Sequence, residues 1–263
     1  MKNIIKAEFY KLFHGSFLSY CLSATFGAAL IKVFSTSEPG DIKTFRDIVV
    51  ETKDFMILTI VLTGIFLIHT WSKERKNGYI KNIAGNVNGR HILAVTKLIT
   101  GAVGVVINSF FSLASVLFNY FLKSVIKGGK VSFAGAFEKA SVMRYAEFII
   151  WIVAGIALIA MLLMIYEIFR SAAFGYIMAI QMLMGSGLLE ALLAQIAAFV
   201  FKFEDLGRYL IVSGTRMMQA EPAASIADGE MYPNSMAGVF IRLCIYIAVF
   251  TAASIFVTKK RDA

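Results

Sequence analysis

Apolar residues in this chain come in long unbroken runs, separated by short charged or Gly/Pro-punctuated segments. The runs cover about 16–34, 55–72, 98–122, 146–166, 172–201 and 238–257. Each approaches or exceeds the roughly 20 residues that carry a helix across a bilayer. The pattern predicts an all-α integral membrane protein, one transmembrane domain over residues 1–263, with six transmembrane helices.

The segments between the runs refine this. In KNIIKAEFYKLFH (residues 2–14), Ile4, Ile5, Phe9, Leu12 and Phe13 share one helical face, with Lys2, Lys6 and Lys11 on the other. This is the pattern of an N-terminal interfacial helix. The basic start superficially resembles a signal peptide, but the 17–34 run is long for one and is expected to be a retained first span. SEPGD at 37–41 is a turn signal, and the acidic stretch that follows, up to Asp54, reads as a short surface helix. Trp71 suits an interfacial ring at the end of the second span. Gly101 and Gly104 permit close helix contact in the third. Residues 123–145 read as a polar connection. Gly185-Ser186-Gly187 offers a kink in the overlong fifth run, and 202–237 has apolar fragments too short to cross.

Composition agrees with this picture. The 263 residues are 58% hydrophobic and 16% charged, whereas soluble domains are about 45–50% apolar and about 25% charged. The net charge of +9 and pI near 9.5 would suit a nucleic-acid binder, but the distribution of charge makes that partner unnecessary. Six spans put both termini on one side. With the 73–97 loop and the 167–171 link, that side carries nearly all the positive excess, while the opposite loops balance. Lys and Arg alone number 13 on that side against 11 on the other, so the N-in, C-in orientation rests on the short, dense basic segments next to spans, and the basic 123–145 connection runs against it. Lys32 and Arg242 lie near span ends and are expected to snorkel to water.

The sequence lacks the usual catalytic patterns. There is no Walker A motif, so nucleotide hydrolysis is not expected of this chain. His14, His69 and His91 are scattered, and no metal-ligand spacing occurs. Cys21 and Cys244 are expected at different depths, too far apart for a disulfide, and to act as small buried hydrophobes. Glu190, deep in the fifth run, is either a substrate-pathway acid or a neutralised packing residue. No catalytic or metal-ligating residue is assigned.

Between the second and third runs lies WSKERKNGYIKNIAGNVNGRHILAVTK, residues 71–97. Its KERKNGYIKNI (73–83) and GRHILAVTKLI (89–99) resemble the membrane subunits of type V ABC exporters, also called type-2 ABC permeases. Glu74, Gly78, Ile80, Lys81, Gly89, Arg90 and Lys97 occupy the family's pattern, and AEFYKLFHGS, with Glu8 and Lys11, is similar to its lead into the first span. The resemblance implies a six-helix half-transporter that pairs with a second permease, identical or related. Separate ATPase subunits would dock beneath it, with ATP and Mg bound on the ATPase and no cofactor in this chain. It implies a cytoplasmic coupling helix between spans 2 and 3. Lys73, Glu74, Arg75, Asn77, Gly78, Ile80, Lys81, Ile83, Gly89 and Arg90 would form that element, and 202–237 would be re-entrant on the outer side. Short permeases of this kind are similar to bacteriocin- and lantibiotic-immunity exporters of the bacterial cytoplasmic membrane, which take amphipathic substrates from membrane lipid. A stand-alone secondary transporter or an assembly subunit is the alternative. An ion-coupled carrier should show paired intramembrane charges or inverted repeats, and neither is evident in the sequence.

Overall fold

The computed structural model describes residues 2–35, 45–77, 89–127, 139–181, 211 and 236–261. Among these residues the fold is all-helical, with no strand. The helices are α1 (Lys2–His14), α2 (Phe17–Ser35), α3 (Phe45–Lys76), α4 (Gly89–Lys127), α5 (Lys139–Phe169), α6 (Ala172–Gln181) and α7 (Met236–Arg261). Five stretches are long and apolar enough to cross a membrane: Phe17–Phe34, Glu51–Lys76, Ile92–Ile126, Tyr145–Phe169 and Met236–Thr258. This is the architecture of a multi-pass membrane protein. Of the expected fifth span, 172–201, only α6 is described. Gly185-Ser186-Gly187 and Glu190 lie outside the described residues, as does the 202–237 segment apart from Ile211, Met236 and Ala237.

Several boundaries differ from the sequence reading. The stretch expected as a separate surface helix before Asp54 is the beginning of α3, which continues without a break to Lys76. Lys73, Glu74, Arg75 and Lys76 form the last turn of that helix, and Gly89 and Arg90 open α4. The expected connection at 123–145 is shorter, because α4 runs on to Lys127 and α5 begins at Lys139. In each case a hydropathy reading stops at the first charges, although the helix continues through them.

α4 is the centre of the bundle, touching α1, α2, α3, α5 and α7. The main apolar core lies where α3, α4 and α5 meet, with Ile60, Leu67, Val105, Ile159 and Leu162 buried there. Trp71, expected at the lipid interface, is instead 1% exposed and its ring lies 5.6 Å from that of Tyr166. Cys21 is buried as expected, but Cys244 is exposed on α7, and both are free thiols.

Small residues set how closely these helices approach. A Cβ at Gly101 would come within 2.7 Å of Ile159 Cγ2 and of Leu67 Cδ1. At Gly155 it would come within 2.9 Å of Ile60 Cδ1 and Val105 Cγ1. With no water to exclude, packing at this distance is a principal source of helix association in lipid.

The α5–α6 connection is equally tight. Arg170 adopts a left-handed φ of 53°, and its N–H donates to the Tyr166 carbonyl at 2.7 Å. Ser171 Oγ then caps α6, accepting the Phe174 N–H at 3.3 Å. A link of two residues turns the chain with its end groups satisfied.

Gly101→Ala should therefore destabilise the protein, the overpacking cost of about 1–3 kcal/mol outweighing alanine's helix preference of about 1 kcal/mol. A Cβ at Gly27 meets nothing within 4 Å, so Gly27→Ala should be neutral or stabilising. Thermal unfolding of both variants in the same detergent reads the contrast, and equal behaviour would refute the packing role of Gly101.

Candidate functional site

At one end of the bundle the last turn of α3 and the beginning of α4 meet α1. Glu8 and Leu12 form the buried face of α1, while Lys6, Tyr10, Phe13 and His14 are exposed. Lys11, expected on the solvent face with Lys2 and Lys6, is instead half-buried. Its Nζ donates to Glu8 Oε1 at 2.7 Å and to Glu74 Oε1 at 2.6 Å. Lys97 Nζ, with its side chain fully buried, donates to Glu8 Oε2 at 2.7 Å and lies 2.9 Å from both Glu74 oxygens. Two carboxylates and two ammonium groups from three helices thus form one ion network.

The sequence places these groups simply. Glu8 and Lys11 are three residues apart, on one face of α1. Glu74 follows the apolar core of α3 by one turn, and Lys97 precedes the first long apolar stretch of α4. In a water-poor setting an isolated charge is prohibitive, whereas a paired and hydrogen-bonded one is tolerated. Burial acts to raise the Glu8 carboxyl pKa, but Lys97 and Lys11 overcome it and hold the pKa below its ordinary value. Burial acts to lower the Lys11 pKa, and hydrogen bonds to Glu74 and Glu8 reverse it, raising the ammonium pKa above the usual lysine value.

Beside the network, Arg75 Nη2 donates to both Glu167 oxygens, at 2.7 and 2.8 Å, and its guanidinium lies over the Tyr166 ring, 5.5 Å from the centroid. This ties α3 to the end of α5. Glu74 and Arg75, both expected in the coupling element, are therefore engaged in internal ion pairs. Lys73, Lys76 and Asn77 are exposed. Gly89 and Arg90 start α4. Gly78, Ile80, Lys81 and Ile83 lie outside the described residues.

The opposite end has its own set. Lys53 and Glu147, with side chains 5% and 1% exposed, pair at 2.9 Å between α3 and α5. Lys32 pairs with Glu51 at 2.9 Å, and Glu51 also accepts a short hydrogen bond from Tyr120. Lys32 is thus ion-paired rather than simply snorkelling. From Lys53 to Glu74 along α3 is about 32 Å, and from Glu147 to Glu167 along α5 about 30 Å, at 1.5 Å rise per residue. The hydrocarbon core of a bilayer is about 30 Å thick. Inside these levels, residues 55–72 of α3, 98–122 of α4 and 148–166 of α5 carry no Asp, Glu, Lys or Arg.

Joining the two levels is a seam of small and polar residues on α4: Lys97, Gly101, Gly104, Asn108, Ser112, Ser115, Asn119 and Lys123. Asn108 Nδ2 donates to Thr63 Oγ1 at 2.8 Å and to Cys21 Sγ at 3.4 Å, joining α4 to α3 and α2. Asn119 Nδ2 donates to the Ala29 carbonyl at 2.8 Å. Ser112 and Ser115 bond back to carbonyls one turn earlier, which satisfies hydroxyls without water. The 3- and 4-residue spacing was visible in the sequence as a helical stripe. The carboxylate partners of its terminal lysines were not, because they come from elements far along the chain. Among the described residues no group of three His, Cys, Asp or Glu is arranged to hold a metal ion.

Removing the ammonium in Lys97→Met leaves Glu8 and Glu74 undercompensated, an expected loss of about 3–5 kcal/mol, read as a lower unfolding temperature. Glu8, with its pKa depressed on folding, contributes stability above the ordinary carboxylate range that disappears as pH falls through its lowered value. Lys11, with a raised pKa, contributes below the ordinary lysine range, and that part is lost as pH rises through its raised value. Stability should form a plateau between these limits, and Glu8→Gln should flatten the acid limb. An acid limb identical to that of the unaltered chain would exclude Glu8 as its source.

Comparison with protein-family models, with curated proteins and with solved structures returned no match.

Proposed function

We propose that this chain is the transmembrane subunit of an ATP-binding cassette exporter, working with separate ATPase subunits and a second permease in the bacterial cytoplasmic membrane. It would be N-in and C-in with six spans, moving an amphipathic peptide, antibiotic or lipid-like substrate, possible self-immunity cargo among them. It performs no catalysis itself, as ATP and Mg belong to the ATPase. One observation carries the reading. Glu8, Lys11, Glu74 and Lys97, which matched the permease pattern in three separate stretches, converge on one ion network. That network sits at the base of the basic segment which the pattern assigns to ATPase coupling.

Mechanically the arrangement suits the role. The ends of α3 and α4 that flank residues 77–88 are tied to α1 by the network and to α5 by Arg75–Glu167. A push on the intervening segment would move these helix ends as a unit, a rigid-body mode of switching. Exposed Lys73 and Lys76 offer cations to an acidic groove, while Glu74 and Arg75 hold the helix end in place.

The buried ion pairs bear on the alternative of an ion-coupled secondary transporter, which needs paired charges within the membrane. Those pairs lie at the two ends of the spans, about 30 Å apart by helix rise, whereas coupling sites of secondary transporters lie near the midplane. That placement favours anchoring over ion coupling.

Affinity purification from the native host in mild detergent should bring down an ATPase. Charge reversal in Lys73→Glu/Lys76→Glu should lose it while the permease remains folded. Arg75 is unsuitable for this test, because its reversal would also expel Glu167. Ion-driven flux by the purified chain alone, with no ATPase recovered in any of several detergents, would overturn the exporter reading.

A further inference from the structure

Among the described residues, nearly every buried charged side chain faces an opposite charge. Lys53 has Glu147, Lys97 has Glu8 and Glu74, and Glu167 has Arg75. Lys123 is the exception. It is only 7% exposed, and its recorded neighbour is the Tyr120 ring, 5.9 Å from Nζ to the centroid. No carboxylate among the described residues pairs with it. A ring face is a weak substitute for a carboxylate, and an ammonium held away from bulk water calls for a countercharge. Nζ itself is not among the fully sealed, unbonded polar atoms, so it keeps some solvent contact.

We infer that Lys123 anchors a binding site for an anionic phospholipid headgroup, in the leaflet opposite the end that carries Lys73 and Lys76. Depth supports the assignment. Lys123 lies about 39 Å along α4 from Lys97, beyond the hydrocarbon core of about 30 Å and within the headgroup zone. The surroundings add a second cation. Lys32 lies 2.9 Å from Glu51, which also binds Tyr120, so the Tyr120 side chain has Lys32 and Glu51 at its hydroxyl and Lys123 over its face. Lys32 and Glu51 offset one another, so the Lys123 ammonium is the charge that one phosphodiester would neutralise. Leu30 and Ile31 on α2 and Leu117 and Phe121 on α4 are exposed and precede these lysines along their helices, toward the bilayer centre, providing apolar surface for acyl chains. A free phosphate would use the charge but not this surface.

The site requires no ATPase, so it can fail without affecting the exporter reading, and the reverse also holds. The test uses the full-length protein, delipidated in detergent and titrated with phosphatidylglycerol, phosphatidylcholine or inorganic phosphate. Native mass spectrometry counts lipid adducts, and thermal unfolding reports stabilisation. Phosphatidylglycerol should bind in preference to phosphatidylcholine, with affinity about tenfold weaker in Lys123→Gln, the effect expected from losing one charge-assisted contact. Lys123→Arg should restore it, and Lys73→Gln at the other end should leave it unchanged. The inference is overturned if Lys123→Gln binds phosphatidylglycerol as tightly as the unaltered chain or if phosphatidylcholine binds equally well. Displacement of the lipid by equimolar inorganic phosphate would also overturn it, reducing the site to a bare anion contact. Should Lys123→Gln fail to fold, the lipid preference of the unaltered chain and of Lys123→Arg still decides the matter.

Discussion

The ammonium of Lys97, closed in between Glu8 and Glu74, is the contact on which the basic end of the bundle depends. It lies where three helices converge, and each contributes a group that could not be buried alone. A hydrophobic triad of similar volume could hold the helices together at least as well. What the ions add is selectivity. In the observed pairing of α1 against the α3–α4 corner, each carboxylate has a cation. The same logic recurs at Arg75–Glu167 and Lys53–Glu147, so registration of the spans is fixed at both ends.

Between those ends, the fold relies on close approach and economical hydrogen bonding. Glycine at 101 and 155 admits neighbouring side chains where a methyl group would collide. Serine and threonine close onto their own helix, and the two asparagines of α4 reach across to α2 and α3. α4 therefore touches nearly every other helix. α2 and α7 lie farther out, and much of their surface faces outward.

The all-helical, multi-pass character was legible because a bilayer imposes a length and polarity on each span. Five of the six expected spans have a helix long enough to cross. Their ends were less legible. At 45–54, 73–76 and 123–127 hydropathy falls while the helix continues, since Lys53, Glu74 and Lys123 lie on helical turns and two of the three are ion-paired. The stripe on α4 was present in the residue spacing, but a stripe does not disclose its partners. Pairing Lys97 with Glu8, or Lys53 with Glu147, requires knowing which distant helix lies alongside. The same limit explains Trp71, whose position at the end of an apolar run suggested a lipid-facing ring although its neighbour is Tyr166.

The two levels of ion pairs also act as a gauge. Their spacing along α3 and α5 is fixed by helix geometry, while the thickness of a membrane changes with acyl-chain length. A thicker bilayer would draw hydrocarbon over the Lys53–Glu147 and Arg75–Glu167 pairs, and tilting can absorb only part of that mismatch. A thinner one would wet the apolar faces just inside them. The ion pairs thereby favour membranes of one thickness, so acyl-chain length becomes a physical variable in the stability of this protein.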